Sequence, residues 1–399
     1  MVRRRTRRVR TGLDVLLEDE QLLQQLSRAR VGLLVNPTSV TADLEHAIEA
    51  LQRQGVKIVR LFGPEHGVRA EAQDMEAVTE SVDPLSGLPT ISLYGHSYES
   101  LEPRPEHVED LDIVLADIQD IGTRYYTYAY TIGLMMKVCG QVGTQCWVLD
   151  RPNPLGGEVI EGNLVEDACR SFVGLQPLAM RHGMTLGELA RFFSRHGGWS
   201  CELKVITMQG WERSMWFDDT GVDWVMPSPN MPTLQTAITY PGQCILEGTN
   251  LSEGRGTTRP FELFGAPYLD AQALKEKLDG YGLEGISFRA VSFKPMFQKH
   301  AQKVCRGIQL HVTDREVFRS VRTTFCILHA VRELAGDAFQ WRSQAYEFVE
   351  DVPAIDLLCG ELSVRQRLER GEDPLTLVSD MEQGLGEFLE RREQCLLYA

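Results

Sequence analysis

Short apolar runs alternate with polar clusters rich in glycine and proline from the start of the chain to about residue 154. Val31–Val35 runs into Asn36-Pro37-Thr38, and Val56–Phe62 into Gly63-Pro64-Glu65-His66-Gly67. Thr90–Leu93 leads to Tyr94-Gly95, Ile113–Ala116 to Asp117-Ile118-Gln119-Asp120, and Cys146–Leu149 to Asp150-Arg151-Pro152-Asn153-Pro154. Runs of this length bounded by turn residues read as strands. Between them, Asp43–Arg53 carries Leu44, Ala47, Ile48 and Leu51 at helical spacing and stops at Gly55, and Thr127–Gly140 is a second helix. Strand–helix alternation predicts βαβ units, right-handed crossovers and a mostly parallel, Rossmann-like sheet. In such sheets ligands bind outside the carboxyl ends of the strands, where these polar clusters fall.

Further along, Thr185-Leu186-Gly187-Glu188 reads as a capping box opening a helix through Phe193, and Glu202–Met208 as another strand. The pattern breaks at Pro227-Ser228-Pro229-Asn230-Met231-Pro232 and again at Tyr240-Pro241-Gly242, which places a domain boundary near residue 235. Beyond it, helices are predicted at Leu269–Leu278, Glu316–Ala335 and Leu375–Arg392, with strands at Ser287–Phe293 and Gly307–Val312. The expected organisation is a basic disordered tail over 1–12, a Rossmann-like domain over 13–235, and a smaller α+β or α/β domain over 236–399. The ligand cleft lies between the two domains.

Composition narrows the partners. The 399 residues carry a net charge of −15, which disfavours nucleic acid. Arg3, Arg4, Arg5, Arg7, Arg8 and Arg10 resemble the positive start of an export signal. Leu13–Leu26, however, contains Asp14, Glu18, Asp19 and Glu20 and forms no continuous apolar core. No run approaches the ~18 apolar residues that span a bilayer. These features lead to the expectation of a soluble cytoplasmic protein with no membrane partner. The nine cysteines show no paired spacing and suit reduced core thiols.

The chemistry-bearing residues group into four blocks. In Gly63–Gly67 a tight loop positions Glu65, a candidate general acid, beside His66. In Asp117–Tyr128 the carboxylates Asp117 and Asp120, Gln119, Arg124 and the tyrosines 125, 126 and 128 suit the mixed faces of a sugar ring. A helix cap at Asp120 and a structural Asp117–Arg124 pair are the competing readings. Asp150, Arg151 and Asn153 form a proline-stiffened wall, and His182 precedes the capped helix. In the second domain, Glu247–Thr258 gathers Glu247, Asn250, Arg255 and Thr257 into an anion grip that matches no nucleotide fingerprint. No HxH, HExxH or GxSxG motif occurs, so neither a metal, another cofactor nor a serine nucleophile is expected.

Taken together, Phe62–Gly67, Asp117–Tyr128, Leu149–Gly157, Arg181–Ala190, Pro227–Asn230, Tyr240–Gly242 and Glu247–Gly265 resemble the exo-β-N-acetylmuramidases. These are the NamZ (YbbC-like, DUF1343) glycoside hydrolases, and the resemblance covers roughly residues 30 to 270. It implies release of terminal, non-reducing N-acetylmuramic acid (MurNAc) from peptidoglycan fragments such as MurNAc–GlcNAc or muropeptides, in peptidoglycan turnover and cell wall recycling. On this resemblance Glu65 is the acid, and Asp117, Asp120, Glu247 or the substrate acetamido group is the second catalytic group. Arg124 or Arg255 would meet the lactyl carboxylate, and Tyr125, Tyr126 and Tyr128 the pyranose. Asn36, His66, Gln119, Asp150, Arg151, Asn153, His182, Asn230, Asn250 and Thr257 complete the expected binding residues. The chain departs from the family's usual glycine after the loop arginine, having Arg69-Ala70, and from the export of many members. A non-catalytic muropeptide-binding protein and a metal-dependent hydrolase of another polar substrate are the alternatives.

Overall fold

The computed structural model describes residues 8–69, 72, 73, 76, 77 and 81–399. Its larger sheet is built from β1 (Arg30–Val35), β2 (Lys57–Gly63), β3 (Ser81–Val82), β4 (Pro89–Ser92), β5 (Ile113–Asp117), β6 (Gln145–Leu149) and β7 (Leu203–Ile206). Their order is β3-β4-β2-β1-β5-β6-β7, parallel throughout except where β3 meets β4. Leaving out β3, this is the doubly wound Rossmann order, whose chain direction switches between β1 and β5. The central strands are apolar almost throughout because both faces are covered. Val31, Leu33 and Val35 pack on one face with Leu13, Ile48 and Leu51. Leu34, Val114 and Ala116 pack on the other with Tyr130 and Met135.

The covering helices are α1 (Gly12–Glu18), α2 (Glu20–Ser27), α3 (Ala47–Arg53), α4 (Tyr128–Val142) and α5 (Leu186–His196). The predicted Thr185–Glu188 capping box is formed at the start of α5. The expected disordered tail does not extend to residue 12. Val9 is buried beside Met208 and Trp211, Arg10 pairs its backbone with Gln209, and Thr11 caps α1 through Asp14. The arginines 3, 4, 5 and 7 lie outside the described residues.

The smaller lobe holds α6 (Leu234–Gln243), α7 (Ala271–Asp279) and α8 (Ser320–Ala335) around an antiparallel sheet. That sheet comprises β8 (Leu263–Ala266), β9 (Ile286–Phe293) and β10 (Cys305–Val312) in the order β8-β10-β9. Then come α9 (Ala354–Cys359), α10 (Leu362–Glu369), α11 (Pro374–Gln383) and α12 (Gly386–Glu393). The single helix expected over Leu375–Arg392 is thus two helices, interrupted at Gly384-Leu385. Tyr240-Pro241-Gly242, expected as a break, lies inside α6. There the packing of α6 on α8 overrides local propensity. The Gly242 amide donates to Ser320 Oγ at 2.8 Å, which in turn donates to the Thr239 carbonyl.

One apolar cluster runs from Leu34 and Phe62 through Tyr240 and Ile245 to Val331 and Phe388, so the two lobes share a core. All nine cysteines are free thiols. Among the described residues no helix is long and apolar enough to cross a membrane.

A Cβ at Gly242 would lie 2.0 Å from the Ser320 carbonyl oxygen, backbone that cannot swing aside. Gly242→Ala is therefore expected to destabilise the protein by about 1–3 kcal/mol. Denaturant unfolding of the two proteins tests this, and an unchanged midpoint would contradict the close α6–α8 contact.

Candidate active site

The loop after β2 is a tight turn in which the Gly67 amide donates to the Pro64 carbonyl at 2.8 Å. Glu65 and His66 are its central residues, and His66 adopts φ 71°, a left-handed conformation uncommon for residues other than glycine, though His, like Asn and Asp, takes it more readily than most. A strained residue held by its surroundings points to function. Here the hold includes His66 Nδ1, 2.9 Å from the Ala72 carbonyl. The turn presents the buried Glu65 carboxyl to Thr127, whose hydroxyl donates to Glu65 Oε2 at 2.8 Å. Thr127, the N-cap residue of α4, has helical backbone angles and makes no side-chain cap bond, and its hydroxyl is directed to Glu65.

The smaller lobe meets this loop with a 3₁₀ turn, Cys244–Gly248, that carries Glu247. Glu247 pairs with Arg255 at 2.8 Å and accepts a 2.8 Å hydrogen bond from the Tyr346 hydroxyl. Arg255 also stands 3.3 Å from Glu253 and stacks over the Phe261 ring at 4.9 Å. An aromatic series joins the lobes. Tyr128 and Tyr126 lie 4.8 Å apart, Tyr126 and Tyr240 6.0 Å, and Tyr240 and Phe261 4.7 Å between ring centres. Glu65, His66, Tyr125, Tyr126, Tyr128, Asn230, Glu247 and Arg255 border one hollow. Its two lobes together offer carboxylates, aromatic rings and a guanidinium, the groups that bind and cleave sugars. Burial pushes the phenols of Tyr125, Tyr126 and Tyr128 above their ordinary range, so all three stay protonated. The Tyr125 hydroxyl is buried at this wall with no hydrogen-bond partner among the described residues.

Other expected site residues lie elsewhere. Asp117 is fully buried in a bidentate pair with Arg151, at 2.5 and 2.8 Å, and does not face the hollow. Arg124 donates to the carbonyls of Asn163, Leu178 and Leu358 instead of waiting for a ligand. Asp120 accepts from the Gly122 amide and lies 3.6 Å from His182, while Gln119 donates to the carbonyls of Asp120 and Pro152. Asp120 therefore closes a local turn and caps no helix. Asn153 donates to the Met184 carbonyl, Asn250 to that of Ala338, and Thr257 to that of Gly254. Asn36 accepts from the Thr38 amide beneath Tyr128. Asp150 accepts from Thr185, Gly187 and Tyr398 at the start of α5. Each of these side chains holds at least one partner in the backbone or in a neighbour, although Asp120 Oδ1, His182 Nε2, Arg124 Nε and Asn36 Nδ2 are buried without one among the described residues.

Models of the exo-β-N-acetylmuramidase NamZ match the chain in two parts, the N-terminal one over residues 31–235 and the C-terminal one over 238–398. The chain belongs to this family. The peptidoglycan β-N-acetylmuramidase NamZ of Bacillus subtilis (strain 168) is 41% identical over 392 residues, covering 98% of this chain and 92% of that protein. Two solved structures of DUF1343 family proteins from Bacteroides fragilis NCTC 9343 share the fold. One has TM-score 0.88 at 33% identity, the other 0.77 at 25%, and each match covers 98% of this chain and 99% of theirs.

Within this NamZ-family fold, the hollow also draws on residues that sequence reasoning did not single out: Thr127, Val173, Ser228, Met231, Tyr240, Phe261, Tyr346 and Glu347. Thr127, Ser228, Tyr240 and Phe261 fall inside the stretches that carry the family resemblance, where a role was assignable. Tyr346 and Glu347 do not. They sit in an irregular segment where Glu347 and Phe348 have φ 47° and 66°, and Tyr94 donates to Glu347 at 3.2 Å across the lobes. Ala70, the departure from the family's glycine, lies outside the described residues. Among the described residues no group of three or more His, Cys, Asp or Glu side chains is arranged to hold a metal.

Asp150 makes a pH signature. Burial raises its carboxyl to about 6, against the hydrogen bonds from Tyr398, Thr185 and Gly187 that favour ionisation. A folded-state value above the unfolded ~3.9 means the folded protein holds this proton more tightly. The stabilising contribution is therefore complete below about pH 4 and is lost as pH rises through about 6. The stability of wild type relative to Asp150→Asn is expected to fall by roughly 2 kcal/mol between pH 4 and 7, measured by urea unfolding. A difference independent of pH would show that Asp150 is not buried as described.

Proposed function

We propose that this protein is an exo-acting glycoside hydrolase that releases terminal, non-reducing N-acetylmuramic acid from peptidoglycan fragments. The observation that carries the reading is that Glu65 and Glu247, from different lobes, border one hollow walled by tyrosines. Glycoside cleavage needs a carboxylic acid to protonate the leaving oxygen and a second group on the other side of the sugar ring. Glu65 suits the acid. Its partner is the neutral Thr127 hydroxyl, and among the described residues no cation pairs with it. Glu247, half of an ion pair with Arg255, suits the second, negatively charged role, in which it faces the positive charge that develops at the anomeric carbon. The tyrosines present apolar rings to the C–H face of the pyranose, and Asn230 adds a polar group for its hydroxyls.

The same reading takes 13–235 as the catalytic lobe and 236–399 as the smaller lobe that completes the cleft. MurNAc–GlcNAc and muropeptides are the proposed substrates, supported by the relative named for peptidoglycan. Nine free thiols suit a reducing compartment, and a cytoplasmic place of action on recycled wall fragments accords with them.

The test is release of MurNAc from a chromogenic MurNAc glycoside, with and without chelator. Glu65→Gln is expected to lower kcat by about 10²–10⁴-fold while circular dichroism shows an intact fold. Full-rate turnover by the variant would remove Glu65 from the chemistry. Ligand binding by wild type without turnover would instead mark a binding protein. Activity lost to chelator and restored by metal would mark a metal-dependent hydrolase.

A further inference from the structure

Behind Glu247 the charges alternate. Glu247 pairs with Arg255 at 2.8 Å, Arg255 lies 3.3 Å from Glu253, and Glu253 meets Lys299 Nζ at 3.0 Å. Lys299 also donates to the carbonyls of Leu246 and Glu247, at 3.0 and 3.3 Å, and so grips the 3₁₀ turn that carries Glu247. It comes from the 294–304 connection between β9 and β10, where Gln298, His300 and Gln302 have φ 64°, 56° and 64°. Three left-handed side-chain-bearing residues in one loop are a source of backbone strain. The loop is held nevertheless. Met296 donates to the Gly256 carbonyl, Gln302 to that of Pro295, and His300 Nε2 lies 2.7 Å from the Asn250 carbonyl. Gly256 has φ 78°, and a Cβ there would stand 2.7 Å from the Phe297 carbonyl oxygen, so the two loops are in direct backbone contact.

Resting on the reading of Glu247 as a catalytic group, we propose that Lys299 is a positioning residue, which neutralises Glu253 so that Arg255 remains committed to Glu247. Among the described residues Arg255 has the carboxylates of Glu247 and Glu253 within reach. A second cation on Glu253 decides how the guanidinium divides itself between them. Burial raises Glu253, and the neighbouring charges of Lys299 and Arg255 outweigh it, holding this carboxyl below its ordinary range. Without Lys299 the buried Glu253 charge has Arg255 as its near cation, and draws it from the cleft. Lys299 does not border the hollow, so its loss acts on the geometry of the chemical step more than on substrate binding.

The chromogenic MurNAc assay is run on wild type, K299M, K299R and the double variant E253Q/K299M, with thermal unfolding of each. K299M is expected to lose about tenfold or more in kcat with KM changed by less than about threefold. K299R, which keeps the charge, is expected to stay within about threefold of wild type. In E253Q/K299M the competing charge is gone, and kcat is expected to return to within about threefold of wild type. Should K299M fail to fold, the double variant carries the test, since charge balance restores both fold and turnover. K299M with wild-type kcat, or a folded double variant more than about threefold below wild type, would overturn the inference. A wild type without turnover would overturn this inference and the proposed function together, whereas full turnover in K299M would overturn this inference alone.

Discussion

A charge taken out of water must be matched inside the protein, and that constraint decides what the arginines of this chain do. Arg151 is matched by Asp117, Arg181 by Glu161, and Arg213 by Glu188, all in buried pairs. Arg124 has no carboxylate partner among the described residues and instead takes carbonyls from three separate segments, one of them at the end of α9 in the smaller lobe. These contacts join loops at the carboxyl edge of the sheet to one another and to the second lobe. Arg255 is the arginine whose buried pairing takes place at the wall of the hollow.

With the loops joined in this way, the hollow is assembled from positions that flank the topological switch. The loop after β2 brings Glu65 and His66, and the segment between β5 and α4 brings Tyr125 to Tyr128. The loop after β1, between them in the sheet, supplies no wall residue. Its Thr38 accepts from the Gln119 amide, and the Ser39 hydroxyl donates to the Asp117 carbonyl. It forms a floor. Two departures from ordinary local structure converge at Glu65: the left-handed His66 beside it, and an N-cap threonine that makes no side-chain cap bond and holds its carboxyl. Local stability is given up where positioning is needed.

The smaller lobe contributes more than a lid. It brings Glu247, Arg255, Phe261 and Tyr346, and its own buried charges are arranged in series behind the cleft. Its chain end returns to the first lobe, where Arg392 donates to the Gly157 and Gly183 carbonyls and Tyr398 to Asp150. A shared apolar core and this returning strap hold the two walls of the hollow in one relation. A cleft whose walls lie as far apart in the chain as Glu65 and Glu347 requires such bracing.

By itself the sequence determined the parallel sheet, most of its strand positions, the α5 cap and the family, since these rest on local periodicity and contiguous motifs. Glu65, the tyrosines, Glu247 and Arg255 were legible because each lies in a short motif of unusual composition. What a motif cannot reveal is which of its polar side chains points outward. Asp117 and Arg124 look as reactive in the sequence as Glu65 does, and only the fold shows them matched and buried. Helix α6 was hidden by Pro241, because its contact with α8 is tertiary. Tyr346 and Glu347 carry no local signal, and they reach the hollow only through the packing of one lobe on the other. Local patterning selects elements within a few residues, whereas the matching of buried charges is settled between segments far apart in the chain, and only the tertiary structure decides it.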